Sequence, residues 1–508
     1  MNNFYITTPI YYVNDVPHIG HAYTTIACDI LSRFNKLQNK NVFFLTGTDE
    51  HGQKVEKAAI DSSTKPQEFV NKMSQAFKDL VPALGCEVND FIRTTENRHK
   101  IASQYLWKKL EENNQIYLSN YEGWYSVRDE SFYTENELLK QNGKLFAPSG
   151  ASVEWVKEES YFFKLSEWEK KLISFYMKNP DAIKPKSRYN EVISFIRGGL
   201  KDLSISRTTF KWGIPVLNNK KHVMYVWIDA LCNYLTSIGY PNDKSKIFKN
   251  FWPGIHIIGK DILRFHSVYW PAFLMAADLK PPKTVFAHGW WTNEGQKISK
   301  SLGNVINPYE VISKYGLDQF RFFLFREVPF GNDGNFSEKS IAKRINADLS
   351  NNYGNLIQRI CSFIFKNCNE IIENKFDLNN ADTNLLNFSE KKISIYLLHM
   401  NNLEIDKGIK EIFELLTEIN IYVDKQAPWN LIKTDINRMN VVLSVSIELI
   451  KRTTFMLYPI TPNSCLKVFR LLNIHFSNLN FDNICNKPSK SIKINKPDQI
   501  FPRIDNND

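Results

Sequence analysis

Cysteine is scarce in this chain, with seven among 508 residues and no two spaced as Cys-x-x-Cys. An odd, scattered set argues against a disulfide scaffold and predicts reduced thiols in a cytoplasmic protein. Long apolar runs are missing as well. No stretch approaches the roughly 20 residues that cross a bilayer, so no membrane span is expected. The first residues, Met1 to Val13, lack a basic region followed by an apolar core, so they do not read as a secretory signal. No internal repeat is visible. What is abundant is positive charge: 64 Lys and Arg against 54 Asp and Glu, a net +10. That balance suits a polyanionic partner without identifying one. The length predicts about two to four domains.

Periodicity organises the chain. Residues 4–8 read as a short strand, followed by a loop with Pro9, Asn14, Asp15 and Pro17. A helix is predicted from His18, because Ile19, Ala22, Ile26, Ala27, Ile30, Leu31 and Phe34 recur at three- and four-residue steps. Val42 to Leu45 is an apolar run suited to a strand buried on both faces. Strand, helix and strand at this spacing make a βαβ unit with a parallel sheet, whose ligands bind beyond the strands' carboxyl ends. The polar cluster Thr46 to Gly52 falls there. Residues 116–215 break the alternation with aromatic, extended segments and read as an insertion. The α/β pattern resumes with strand-like runs at 223–228, 255–258 and 285–287. From Ser337, a plausible N-cap, the chain is helix-patterned, with Ile341, Ile345, Leu349 and Tyr353 on one face. The last residues are rich in Pro, Lys and Asn and predict a tail, draped over the surface or partly disordered.

Two short motifs carry chemistry. His18-Ile-Gly-His21 opens the predicted helix, where unpaired amides and a partial positive charge attract phosphate. The two imidazoles add donors on one helix face, and Gly20 would let a nucleotide approach the backbone. Alone, the pair suits a zinc site or a structural role equally well. Lys297-Ile-Ser-Lys300-Ser301 lies in a polar, Gly-flanked segment predicted to be an irregular loop. Mobile ammonium groups can close over a leaving pyrophosphate, although a solvated loop reads the same way. Together, in this order, the motifs point to a nucleotide-activating enzyme.

The two segments resemble the "HIGH" and "KMSKS" signatures of class I aminoacyl-tRNA synthetases, with isoleucine in place of the usual methionine of the second. Thr8-Pro-Ile-Tyr-Tyr-Val-Asn-Asp15, Gly47-Thr-Asp-Glu-His-Gly52, Tyr225-Val-Trp-Ile-Asp-Ala230, Gly259-Lys-Asp-Ile262 and Gln426-Ala-Pro-Trp429 narrow the resemblance to the methionyl-tRNA synthetases. It implies a Rossmann-type α/β catalytic domain with an inserted connective subdomain, followed by an all-α anticodon-binding domain. The spans are 1–115 and 216–336 for the catalytic halves, 116–215 for the insertion, 337–480 for the helical domain and 481–508 for the tail. It also implies methionine, ATP with Mg2+ and tRNA(Met), initiator and elongator, as partners, and a short monomeric form without an appended dimerisation domain.

Site residues carry over position by position. The resemblance places ATP at His18, Gly20, His21, Gly259, Asp261, His288, Lys297, Ser299 and Lys300, with His18, His21, Lys297 and Lys300 catalytic. It places methionine at Ile10, Tyr12, Asp49, Trp227, Ala230, Leu231, Tyr234, Ile262 and His266, with Asp49 pairing the α-ammonium. An aromatic and aliphatic pocket is what an unbranched, polarizable thioether needs. Such a pocket discriminates by only about 1–3 kcal/mol per methylene, so homocysteine is an expected misfit substrate. Arg207 matches a further active-site position. Asn355, Arg359 and Trp429 match the anticodon readers, where an unpaired base offers both a π-face and a pairing edge. Several relatives hold zinc on cysteine pairs in the insertion. Here those stretches read Trp124 to Glu130 and Pro148 to Ser152 without cysteine, so no structural zinc is expected, and Trp124, Tyr125, Phe132, Tyr133 and Trp155 are expected to pack there instead. Synthetases for valine, leucine or isoleucine would carry a large editing insertion that this length does not accommodate. A small-molecule nucleotidyltransferase would leave the helical third unexplained, and a non-catalytic RNA-binding relative should have lost the histidines or lysines.

Overall fold

The computed structural model describes residues 3–13, 16–129, 131–133, 135–141, 143–298, 304–373, 377–486 and 491–504. The chain starts with β1 (Asn3–Thr7) and β2 (Tyr11–Tyr12), runs through α1 (Ile19–Leu37) and returns as β3 (Asn41–Asp49). Internal contacts divide it into two compact units. One holds Asn3–Pro17 and Val42–His288; the other holds His18–Asn41 and Gly289–Asp508. These units cut across the five spans predicted from the sequence.

The first unit is built on the predicted parallel sheet. Its further strands are β4 (Asp90–Arg93), β5 (Ile183–Lys184), β6 (Ile255–Gly259) and β7 (Thr284–His288). The order is β5-β7-β6-β1-β3, with β2 and β4 also bonded to β3. β6 runs parallel to β1 and β7, β5 parallel to β7, and β2 and β4 parallel to β3. β3 is longer than its apolar run suggested and continues through the polar Thr46-Gly-Thr-Asp49. A Cβ on Gly47 would lie 2.0 Å from the Ile92 carbonyl oxygen, so only glycine lets β4 pair here. The insertion contains a long antiparallel pair, Ile116–Ser126 with Glu154–Phe163, but β5, inside the same predicted span, belongs to the main sheet.

Two local expectations need correction. The run at 223–228 is not a strand throughout. Only Val223–Met224 is extended, and α3 (Val226–Leu231) and α4 (Asn233–Thr236) follow, numbered after α2 (Asn97–Glu112). A short apolar run does not by itself separate strand from buried helix, and packing decided this one. The segment at 294–304 is not wholly irregular either. Gln296–Lys297 pairs antiparallel with Trp291–Asn293 across a turn in which Glu294 and Gly295 both have positive φ.

In the second unit, α5 (Leu317–Arg326) precedes the helical region, which runs through α6 (Glu338–Arg344), α7 (Asn355–Asn367), α8 (Asn380–Asn401), α9 (Ile405–Gln426), α10 (Pro428–Leu431) and α11 (Ile436–Leu457). Ser337 occupies the N-cap position of α6, though its side chain does not bond the helix. Ile341, Ile345, Leu349 and Tyr353 are all fully buried. Steps of four drift around an α-helix, but residues 345–354 are wound as a π-helix, whose wider turn keeps such steps on one face. The tail is draped and anchored. Ile494 and Phe501 are buried, and Asn346 exchanges two hydrogen bonds with the Ile504 backbone.

α1 is buried on its polar side as well as its apolar one. Asp29 accepts from Arg33 at 2.8 Å and from Arg321 of α5 at 2.6 Å. Arg321 also donates to the carbonyls of Pro459 and Ile460, and Arg33 to the Tyr458 hydroxyl. Removing Asp29 would take from two buried guanidinium groups the carboxylate they share. Asp29→Ala is therefore expected to cost about 3–5 kcal/mol, read as a lower urea midpoint.

Candidate functional site

In the α1 unit, His18 is the N-cap, with extended backbone. Its Nδ1 accepts the Gly20 amide at 3.0 Å, and the His21 Nδ1 accepts the His18 amide at 3.1 Å. The rings lie 4.0 Å apart. A backbone N–H can only donate, so each Nδ1 must be an acceptor and each neutral ring carries its proton on Nε2. Burial, reinforced by His18, holds His21 well below the usual imidazole range. The pair therefore consists of two N–H donors.

This revises what the helix start offers. The Ile19 amide bonds the Ile306 carbonyl, Gly20 bonds the His18 ring, and the His21 and Ala22 amides bond the His18 carbonyl. The first-turn amides already have acceptors, so what this turn can direct at a phosphate is the Nε2–H of its imidazoles. Gly20 has a different purpose from the one expected. A Cβ there would sit 2.8 Å from Cε1 of His18, so glycine is what lets the ring fold back onto the helix. Lys297 lies in the short strand opposite Thr292. Ser299 and Lys300 lie outside the described residues.

The sheet unit collects the other candidates at the carboxyl ends of its strands. Tyr12 stands in register with Asp49, a buried carboxylate at the last position of β3. Trp227 lies flat on Phe265, 3.7 Å between centroids and 5° from parallel, and edge-on to His266. His266 Nδ1 donates to the Ile262 carbonyl at 3.0 Å, which makes its Nε2 the acceptor for the Tyr234 hydroxyl at 2.7 Å. Burial pushes His266 down to about 4, so this ring too is neutral. Ala230, Leu231 and Tyr234 are buried, while Ile10, Tyr12, Trp227 and Ile262 pack half-buried against the same core. The set is apolar and aromatic with neutral polar tips. Phe265 beneath Trp227, and His256 stacked 3.9 Å from Tyr234, were missed from sequence. Both contacts join separate elements, and no local pattern announces them.

Gly259 and His288 are register partners at the ends of β6 and β7. A Cβ on Gly259 would lie 2.5 Å from Oδ1 of Asp261 and 4.0 Å from Cε1 of His288. The three predicted ATP residues of this unit therefore converge. Arg207 is buried, donates to the Ser206 carbonyl at 2.7 Å and lies 4.5 Å above the Tyr225 ring.

In the helical region Arg359 pairs with Asp424 at 2.6 Å, and its guanidinium lies 5.4 Å from the Trp429 ring centroid. Asn355 is exposed one turn earlier on α7. Ala427 is left-handed and Pro428 opens α10, a break that leaves Trp429 41% exposed. In the insertion, Asp129 accepts from Tyr133 at 3.0 Å and from the Ser149 hydroxyl, while Arg128 donates to the Ser149 carbonyl. Trp124 meets Trp155 edge-on and Tyr125 is buried, but Trp155 itself is more than half exposed. The Phe132 side chain lies outside the described residues. Among the described residues, no group of three or more His, Cys, Asp or Glu could hold a metal ion.

Comparison with known proteins gives one pattern. Residues 4–361 match the family of tRNA synthetases class I (M), and residues 374–508 match the anticodon binding domain of methionyl tRNA ligase. The methionine–tRNA ligase of Rickettsia conorii is 51% identical across 99% of this chain and 100% of its own length. That of Mesorhizobium japonicum is 47% identical across 98% of this chain and 97% of its own. Among solved structures, methionyl-tRNA synthetase from Mycobacterium tuberculosis in complex with methionyl-adenylate superimposes with a TM-score of 0.97. The identity is 42%, covering 99% of this chain and 100% of that one.

Proposed function

The chain belongs to the class I methionyl-tRNA synthetases, and from that membership we propose how its residues divide the two half-reactions. It activates methionine with ATP to methionyl-adenylate and transfers the methionyl group to tRNA. In the first step the methionine carboxylate attacks the α-phosphorus and pyrophosphate leaves. A carboxylate is already nucleophilic, so the step needs positioning and charge stabilisation rather than a general base. His18 and His21 donate Nε2–H to phosphate oxygens as charge develops, Lys300 takes the leaving pyrophosphate, and Lys297 serves loop closure and phosphate contact. Gly259, Asp261 and His288 hold the nucleotide, which enters with Mg2+ as its counter-ion.

Asp49 binds the α-ammonium. Ile10, Tyr12, Trp227, Ala230, Leu231, Tyr234, Ile262 and His266 enclose the thioether. In the second step the 2′-hydroxyl of the terminal ribose attacks the adenylate carbonyl, forms the ester and releases AMP. Asn355, Arg359 and Trp429 read the anticodon of tRNA(Met), in the helical domain spanning 337–480. The enzyme works as a cytoplasmic monomer. Its insertion holds together without zinc, through the Asp129, Tyr133 and Ser149 hydrogen bonds.

The observation that carries this reading is the neutral, apolar pocket floor, in which the flat Trp227–Phe265 stack and the Tyr234–His266 bond adjoin one another. The four side chains of that floor are uncharged, so they do not invite an ionised side chain. ATP–pyrophosphate exchange across a panel of amino acids tests it. Methionine is expected to support exchange and leucine not, and exchange with leucine alone would overturn the substrate assignment.

A further inference from the structure

Behind the pocket lies a buried carboxylate that the steps above do not use. Asp229, on α3 between Trp227 and Ala230, is fully buried. His51 Nδ1 lies 2.7 Å from one of its oxygens and His99 Nε2 lies 2.7 Å from the other. Both histidines are buried too. Burial alone would raise the Asp229 pKa, but His51 and then His99 outweigh it together and hold it at about 2. The carboxylate is therefore ionised and can only accept, and both rings donate to it.

Three separate elements meet at this one group. His51 stands two residues beyond Asp49, just past the end of β3, and Trp212 packs edge-on against it. His99 comes from α2 and also bonds Thr236 of α4 at 3.2 Å and Ser103. Asp229 itself sits on the helical turn that carries Trp227 and Ala230. Burying an ion and two imidazoles is costly, and apolar residues of similar volume would fill the space. Directional bonds supply what an apolar contact does not, a fixed distance between the parts they join.

We propose that Asp229 is a positioning residue that sets the span between Asp49 and the Trp227–Ala230 face, and with it the length of amino-acid side chain the pocket accepts. This rests on the assignment of Asp49 to the α-ammonium and of Trp227 to the thioether. Loosening the clamp lets α3 shift relative to β3. Methionine then binds more weakly and a substrate one methylene longer is rejected less.

The test is exchange kinetics on the full chain, with methionine and with ethionine. Asp229→Asn keeps the shape but lacks the second acceptor. It is expected to raise the methionine KM about tenfold, leave the ATP KM within about twofold, and shrink the methionine-over-ethionine preference at least about threefold. His51→Ala should behave likewise. His51→Asn, whose amide nitrogen can stand where Nδ1 stands, should recover most of the loss. A methionine KM within twofold of the parent in folded Asp229→Asn overturns the proposal. So does a joint rise of both KM values with the preference intact, which is the mark of general damage. If Asp229→Asn does not fold, the His51 pair decides, and equal constants for Ala and Asn overturn it. Trp227→Ala separates the two layers of inference. If it leaves the methionine KM unchanged, the pocket assignment is wrong. If it raises that KM while the clamp variants do not, only the role of Asp229 falls.

Discussion

Replacing His21 with alanine is expected to slow adenylate formation by about 10²–10³-fold, the loss that follows removal of one transition-state donor. The methionine KM should stay within about twofold. The size follows from the state of the ring. Its Nδ1 accepts the His18 amide and burial keeps it neutral, so the ring can donate only through Nε2–H. A surface lysine could lose its partner and be replaced by water, but a half-buried donor fixed on the first turn of α1 is less easily replaced. His21→Asn refines the test. Its side-chain oxygen can still accept the His18 amide while the outward donor is lost, so it should be as slow as alanine. If asparagine restored the rate, capping rather than donation would be the function of His21. Lys300→Ala, at the other end of the triphosphate, is expected to fall in the same range. Single-turnover adenylation measures all three.

The second large effect separates the two activities. Trp429→Ala should leave methionine-dependent exchange unchanged and reduce tRNA charging by about 10–10²-fold, the value of one stacked base. The indole is 41% exposed and a guanidinium lies near its ring, so little core packing is at stake. Thermal unfolding should therefore shift little. A fall in both activities together, with a lower midpoint, would assign Trp429 to the core instead.

The parts of the fold legible in sequence were those written in local periods. The steps of three and four from Ile19 to Phe34 locate α1, and every one of those residues is buried. The same period says nothing of Asp29 and Arg33, whose partner Arg321 lies 292 residues from Asp29. Val223 to Ile228 read as a strand, though from Val226 the chain is helical, because six apolar-rich residues are compatible with either structure. Its helical state follows from packing beside α4, including a bond from Tyr5 to the Tyr234 carbonyl. At the site, single-residue identities were readable while their states were not. His18, Gly20 and His21 were found as a motif, yet the reason for glycine and the neutrality of the rings come from a fold-back geometry that no spacing encodes. The clamp on Asp229 was invisible, since His51, His99 and Asp229 are joined only once β3, α2 and α3 have packed.

The ion cluster inside α1 also bears on how this sequence can drift over generations. Asp29 answers to two arginines at once, so losing either arginine leaves a balanced pair, whereas losing Asp29 takes the counter-charge from both guanidinium groups. A lineage can exchange the three for apolar residues, but not by losing Asp29 first. The helix that presents the two imidazoles is thereby inherited as a set with residues of α5, and a natural variant that lacks Asp29 should lack Arg321 as well.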